Sequence, residues 1–142
     1  MLISYIPIYL LTSFFQPQSG IKVNIEGLRN SDGKVILCLY KKEAAKNFPD
    51  EAEYAFQVAE SKALKSGVSI RFNNVPPGTY AISMLHDEDN DNEMDRNFVR
   101  MPREGFGTSN NVKPMMSAPS FKDARFRYQG GKQELTITVI YW

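Results

Sequence analysis

Val68-Ser69-Ile70-Arg71-Phe72, then Asn73-Asn74-Val75-Pro76-Pro77-Gly78, then Thr79-Tyr80-Ala81-Ile82-Ser83-Met84-Leu85-His86-Asp87 reads as strand, turn and strand. In the first run Val68, Ile70 and Phe72 alternate with Ser69 and Arg71, the period of a half-buried strand. Pro76 and Pro77 withdraw two backbone donors, so the middle segment continues neither a helix nor a ladder. In the third run Tyr80, Ile82, Met84 and His86 share one face, while Asp87 points to the other.

The same period recurs outward from this stretch. Ile21, Val23 and Ile25 alternate with Lys22, Asn24 and Glu26; Tyr54, Phe56 and Val58 alternate with Ala55 and Gln57. Near the C-terminus Ala124, Phe126 and Tyr128 oppose Arg125 and Arg127, and Leu135, Ile137, Val139 and Tyr141 oppose Thr136 and Thr138. Asp32-Gly33 and Gly130-Gly131 supply the positive φ that tight hairpins need. Lys41 to Phe48, rich in helix formers and ended by Pro49, predicts a short helical crossover. The pattern predicts two packed antiparallel sheets. Arg96 to Asp123 follows neither period and is expected as one long irregular loop, with Phe98, Phe106 and Phe121 as anchors and Ser120 capping a single turn.

The chain of 142 residues, 42% apolar, fits one compact domain. Its formal net charge of +1 and the lack of a basic run give no electrostatic case for nucleic acid. Leu2 to Phe15 is almost wholly apolar and no charge precedes Lys22, so residues 1–19 read as a signal peptide and 20–142 as a single β-sandwich domain. The competing reading is an N-terminal strand or buried arm, since a basic start and an Ala-x-Ala-like cleavage site are both missing. The signal reading implies an exported protein (periplasmic, cell-surface or secreted) that meets the membrane only transiently. Cys38 is the only cysteine and lies in an apolar run, where a buried structural thiol is expected.

His86-Asp87-Glu88-Asp89-Asn90-Asp91-Asn92-Glu93-Met94-Asp95 crowds carboxylates into one loop. Such crowding calls for a hard cation that prefers oxygen ligands. The expected metal set is Asp87, Asp89, Asp91, Glu93 and Asp95, with Glu93 contributing its backbone carbonyl, and calcium as the ion. Position six is Asn92, which tolerates a left-handed turn, and position twelve is Phe98 where an EF-hand has glutamate, so a strand-to-loop site is expected in place of an EF-hand. The alternative is a solvated acidic turn without an ion. His86, the sole histidine, is expected to be a satisfied structural residue; a competing enzyme reading uses His86, Asp87 and Glu104 on a metal-assisted, hydrolase-like reaction. No nucleophile motif, phosphate loop or dinucleotide fingerprint occurs, and no catalytic or cofactor-binding residue is assigned beyond the metal set.

Phe72 to Ala81, His86 to Asp91, Pro102 to Asn111 and Pro119 to Ala124, in this order, closely resemble the bacterial domain-of-unknown-function 2141 family over roughly Ile21 to Tyr141. The resemblance implies an exported bacterial protein with a small β-sandwich domain and no established activity. Val75-Pro76-Pro77-Gly78-Thr79-Tyr80 is also similar to the signature of transthyretin-like and carboxypeptidase-regulatory-like sandwiches, which are mostly binding or spacer modules. The expected fold is therefore all-β: an antiparallel Ig-like or transthyretin-like β-sandwich of about seven strands with one long irregular loop. The expected function is a non-catalytic module whose calcium loop orders the adjacent long loop for a protein or glycan ligand.

Overall fold

A computed structural model describes residues 19–94, 103–115 and 117–142. The apolar segment read as a signal, together with Asp95 and Phe98, lies outside the described residues. Eight strands are described: β1 (Gly20–Glu26), β2 (Lys34–Lys41), β3 (Gln57–Lys62), β4 (Val68–Phe72), β5 (Gly78–Asp87), β6 (Gly105–Thr108), β7 (Phe126–Tyr128) and β8 (Lys132–Thr138). They form a sandwich of two sheets, β4-β1-β8 and β3-β2-β5-β6, with β7 beside β5. The expectation of an all-β sandwich holds.

The sheets are not wholly antiparallel. β1 and β8 run parallel, in a register that sets Ile21 against Gln133 and Ile25 against Ile137. A parallel pair needs a long connection, and here nearly the whole domain supplies it, since the two strands come from opposite ends of the chain. Alternation along one strand carries no information about the direction of its neighbour, so the sequence could not disclose this.

Val23, Ile25, Ile70, Phe72 and Ile137 face Val35, Leu37, Leu39, Ile82 and Met84 to make the main core. The opposite face of β2 and β5 carries a second cluster, in which Phe48 and Phe121 cover Ile36, Cys38, Tyr40 and Ala81. Phe48 stands edge-on to Tyr40 at 5.3 Å and to Phe121 at 6.1 Å. β2 is thus covered on both faces, which is why Val35 to Tyr40 is continuously apolar. The cover comes from a 3₁₀ segment at Lys42–Asn47, as the helix formers there predict, and from the one-turn helix α1 (Phe121–Ala124), whose Ser120 cap accepts the Asp123 amide.

Two readings of strand position change. Tyr54 belongs to a 3₁₀ turn at Ala52–Tyr54, and on β3 it is Ala59 that packs toward the main core while Val58 is 52% exposed. The alternation of Tyr54, Phe56 and Val58 is real, but its apolar phase faces outward. The long loop is also less irregular than expected, since it contains β6 followed by a 3₁₀ turn at Ser109–Asn111. All four residues of β6 are buried, so no alternation marks it. A Cβ on Gly105 would lie 2.5 Å from the Tyr141 ring and Val139, and one on Gly107 would lie 2.6 Å from Ile137. These glycines let β6 pass directly under the C-terminal strand.

β5 is bordered in tandem on its outer side. β7 pairs with Gly78 to Tyr80 and β6 with Ser83 to His86. Between them the Ser109 hydroxyl accepts the Ile82 amide at 2.9 Å and donates to the Ala124 carbonyl at 2.6 Å, closing the gap in the ladder.

Candidate metal centre

β5 delivers Asp87 at its last residue, fully buried. Its position is fixed from β2: Lys34 pairs with Asp87, and Gly33, at φ +64°, approaches so closely that a Cβ there would lie 1.9 Å from the Asp87 carbonyl oxygen. No side chain fits that corner.

Beyond Asp87 the chain winds around the carboxylate. Asp87 Oδ1 accepts the Asp91 amide at 3.1 Å and Oδ2 accepts the Asn92 amide at 2.8 Å. Asp89 Oδ1 accepts the Asp91 amide at 3.3 Å, and Asp91 Oδ1 accepts the Glu93 amide at 2.8 Å. Asn90 and Asn92 take positive φ, +58° and +64°, so the left-handed turn expected at Asn92 is present. This winding turns the alternate residues Asp87, Asp89 and Asp91 to one side.

The fourth carboxylate comes from far along the chain. Glu104, 4% exposed and immediately before β6, accepts the Glu88 amide through Oε2 at 2.5 Å. Asp87, Asp89, Asp91 and Glu104 each place one carboxylate oxygen within 4.8 Å of the others. This group of four can hold a metal ion. Glu93, expected to contribute its backbone carbonyl, follows on the same loop with its amide donating to Asp91 Oδ1. Burial pushes the Asp87 carboxyl above the ordinary aspartate range, the Asn92 and Asp91 amides pull it down, and the neighbouring Asp89 and Asp91 carboxyls push it up again.

Glu88 points the other way. Its carboxylate meets the Arg29 guanidinium and accepts Asn30 Nδ2 at 3.0 Å. Burial alone would raise its carboxyl, but the hydrogen bonds from Asn30 and Arg29, with the Arg29 charge, outweigh it and hold the group below the usual range. Arg29 also donates to the Arg103 carbonyl at 3.2 Å and lies 4.6 Å over the Tyr141 ring. One guanidinium thus ties the acidic loop to the segment that carries Glu104. Arg29 and Glu104 are the members of the centre that local spacing does not reveal, because each acts across 59 or more and 16 residues respectively.

His86 is fully buried, and both ring nitrogens are engaged. Nε2 faces the Asp32 carbonyl at 2.7 Å and must donate to it, and Nδ1 lies 2.8 Å from the Tyr141 hydroxyl, from which it accepts in the neutral ring. The Tyr141 oxygen in turn accepts the Arg29 amide at 3.0 Å. No ring nitrogen is left for a substrate, although β5–β6 pairing sets His86 opposite Gly105, next to Glu104.

Beside the loop, on the outer face of the second sheet, lies a cavity of about 710 Å³ bordered by Cys38, Leu85, Glu93, Met94, Phe106 and Trp142. Phe106 and Trp142 are stacked with centroids 6.4 Å apart. Cys38 is buried, and desolvation pushes its thiol up, which keeps it protonated and unreactive. No helix among the described residues is long and apolar enough to cross a membrane.

A family model described as an uncharacterized protein conserved in bacteria, DUF2141, matches residues 23–136. Neither the curated proteins nor the solved structures contain a match.

Proposed function

We propose, from the premise that this chain belongs to the DUF2141 family of bacterial proteins, that it is an exported, non-catalytic binding module stabilised by calcium. The observation that carries the reading is the meeting of Asp87, Asp89, Asp91 and Glu104 within 4.8 Å, two of them buried. Four carboxylates so placed repel one another unless a cation lies between them. An all-oxygen donor set suits calcium, whose remaining positions backbone carbonyls and water would fill, and offers zinc none of its preferred nitrogen or sulfur. The ion would tie the end of β5 to the entry of β6 and so hold both ends of the intervening segment. The cavity beside it, walled by Phe106 and Trp142, is the place for a protein or glycan ligand. Export rests on the apolar stretch Leu2 to Phe15.

Elemental analysis of protein purified without chelator, followed by calcium and magnesium titrations by calorimetry, tests the reading. Calcium binding at one site, with a dissociation constant on the order of 0.1 to 1 mM as for extracellular modules, is expected. It should be abolished in Asp89→Ala/Asp91→Ala. No heat of binding and no co-purified metal would overturn it.

A further inference from the structure

Among the described residues β3 is the outer strand of its sheet, next to β2 alone. Ala63 donates to the Gly33 carbonyl at 3.1 Å, continuing a register that pairs Ser61 with Val35 and Ala59 with Leu37. By alternation, residues 59, 61 and 63 direct their backbone groups to β2, while Val58, Glu60 and Lys62 direct theirs outward. Two other edges, those of β8 and β6, are covered, whereas β4 ends the first sheet beside β1 among the described residues. Asn111 accepts the Thr138 amide at 2.8 Å and donates to the Thr136 carbonyl at 3.0 Å along β8, and Phe106 of β6 exchanges both backbone bonds with Ile140. β3 has no such cover among the described residues.

Its side chains also depart from a protected edge. Of the six large apolar residues exposed among those described, Tyr54, Phe56, Val58 and Leu64 lie on or beside β3. The outward row reads Val58, Glu60, Lys62, Leu64: apolar, acid, base, apolar. That order is complementary to itself when reversed.

We propose that β3 pairs with β3 of a second copy of this chain, antiparallel about a two-fold axis at Ser61. In this register Glu60 of each copy lies opposite Lys62 of the other, and Val58 opposite Leu64. The residues so paired at 60 and 62 are those whose backbone groups face outward, so the ladder closes without a slip. A one-residue shift in the sum of the register would set outward groups against inward ones. A two-residue shift would bring Lys62 against Lys62 or Glu60 against Glu60, a like-charge pair on the axis. Glu60 keeps its bond to Lys34, 3.3 Å away on β2, on its other flank. The result is an isologous dimer with one continuous sheet through both copies. A strand pair with few flanking contacts buries less than a standard interface, so association is weak and appears at concentrations on the order of 100 µM.

Sedimentation equilibrium across concentrations from about 10 µM to about 1 mM tests the pairing. The wild-type chain is expected to dimerise, with the amides of Val58, Glu60 and Lys62 gaining hydrogen-exchange protection as concentration rises. Glu60→Lys or Lys62→Glu alone creates two like-charge pairs and should weaken the dimer roughly tenfold or more, with an unchanged far-UV spectrum as the check on folding. The double variant E60K/K62E reverses both charges and should restore it. A monomer throughout the range, single variants that dimerise as well as the parent, a double variant that stays monomeric, or outward amides indifferent to concentration would each overturn the proposal.

Discussion

Glu104→Gln separates a metal ligand from a structural acceptor, because the glutamine oxygen can still take the Glu88 amide while the charge is gone. Two unit charges at the 4.8 Å that bounds the four-carboxylate group repel by roughly 3 to 4 kcal/mol at an effective dielectric constant near 20, an upper limit for the solvent-screened Asp89 and Asp91. Removing one of four charges therefore relieves the metal-free fold, and Glu104→Gln should melt at the same temperature as the parent or higher in chelator. Calcium reverses the order. At about a hundred times its dissociation constant it stabilises the parent by roughly 2.7 kcal/mol, and a variant bound about thirtyfold more weakly gains only about 0.9 kcal/mol at the same concentration. For a domain of this size these values correspond to melting shifts of roughly 10 °C and 3 °C. Differential scanning fluorimetry of both proteins, in chelator and across a calcium series, should show the two melting curves changing places. An equal calcium shift in parent and variant would remove Glu104 from the centre, and no shift in the parent would refute the metal reading altogether.

The Asp87 carboxyl titrates above its ordinary value of 3.8, so the folded form holds this proton more tightly than the unfolded chain does. Acidifying metal-free protein through that raised value toward 3.8 should add stability from this group, whereas Glu88, held below 4.5, contributes stability that is lost as pH falls through its lowered value. Protons and calcium compete for Asp87, so the calcium-induced shift in the urea midpoint should begin to shrink while pH is still above 3.8; a shift that stays constant down to that pH would contradict the assignment. Ser109→Ala leaves the Ile82 amide and the Ala124 carbonyl without their buried partner and should cost about 2 to 4 kcal/mol in chemical denaturation with the calcium increment intact. Gly33→Ala adds a Cβ 1.9 Å from the Asp87 carbonyl at φ +64°, whereas Gly131→Ala, at φ +73°, meets nothing within 4 Å. The first should cost more than about 2 kcal/mol and weaken calcium binding, while the second should cost only the roughly 1 kcal/mol of a left-handed backbone; comparable losses would deny Gly33 its role in placing Asp87.

Period two in Ile21–Ile25, Val68–Phe72 and Leu135–Tyr141, punctuated by Asp32-Gly33 and Gly130-Gly131, was enough to specify a β-sandwich, because a strand with one buried face must alternate wherever its partners come from. It was not enough to orient the apolar residues of β3. The second cluster does not extend over the outer face of β3, so Val58 can be apolar and still face solvent, and the same spacing fits both phases. β6 left no periodic trace because all four of its residues are buried and two are glycines that touch the C-terminal strand.

At the candidate centre, sequence alone determined what is local: Asp87, Asp89 and Asp91 on one side of a turn, with asparagine where the backbone must be left-handed. Their hydrogen bonds span two to five residues, and spacing dictates them. Only the tertiary structure decided the fourth carboxylate. Glu104 reaches the loop because β6 pairs with β5, His86 opposite Gly105, and because Arg29 binds both Glu88 and the Arg103 carbonyl. Those contacts depend on strand pairing across the sheet, which fixes distances between residues remote in the chain and leaves no periodic mark on the sequence between them.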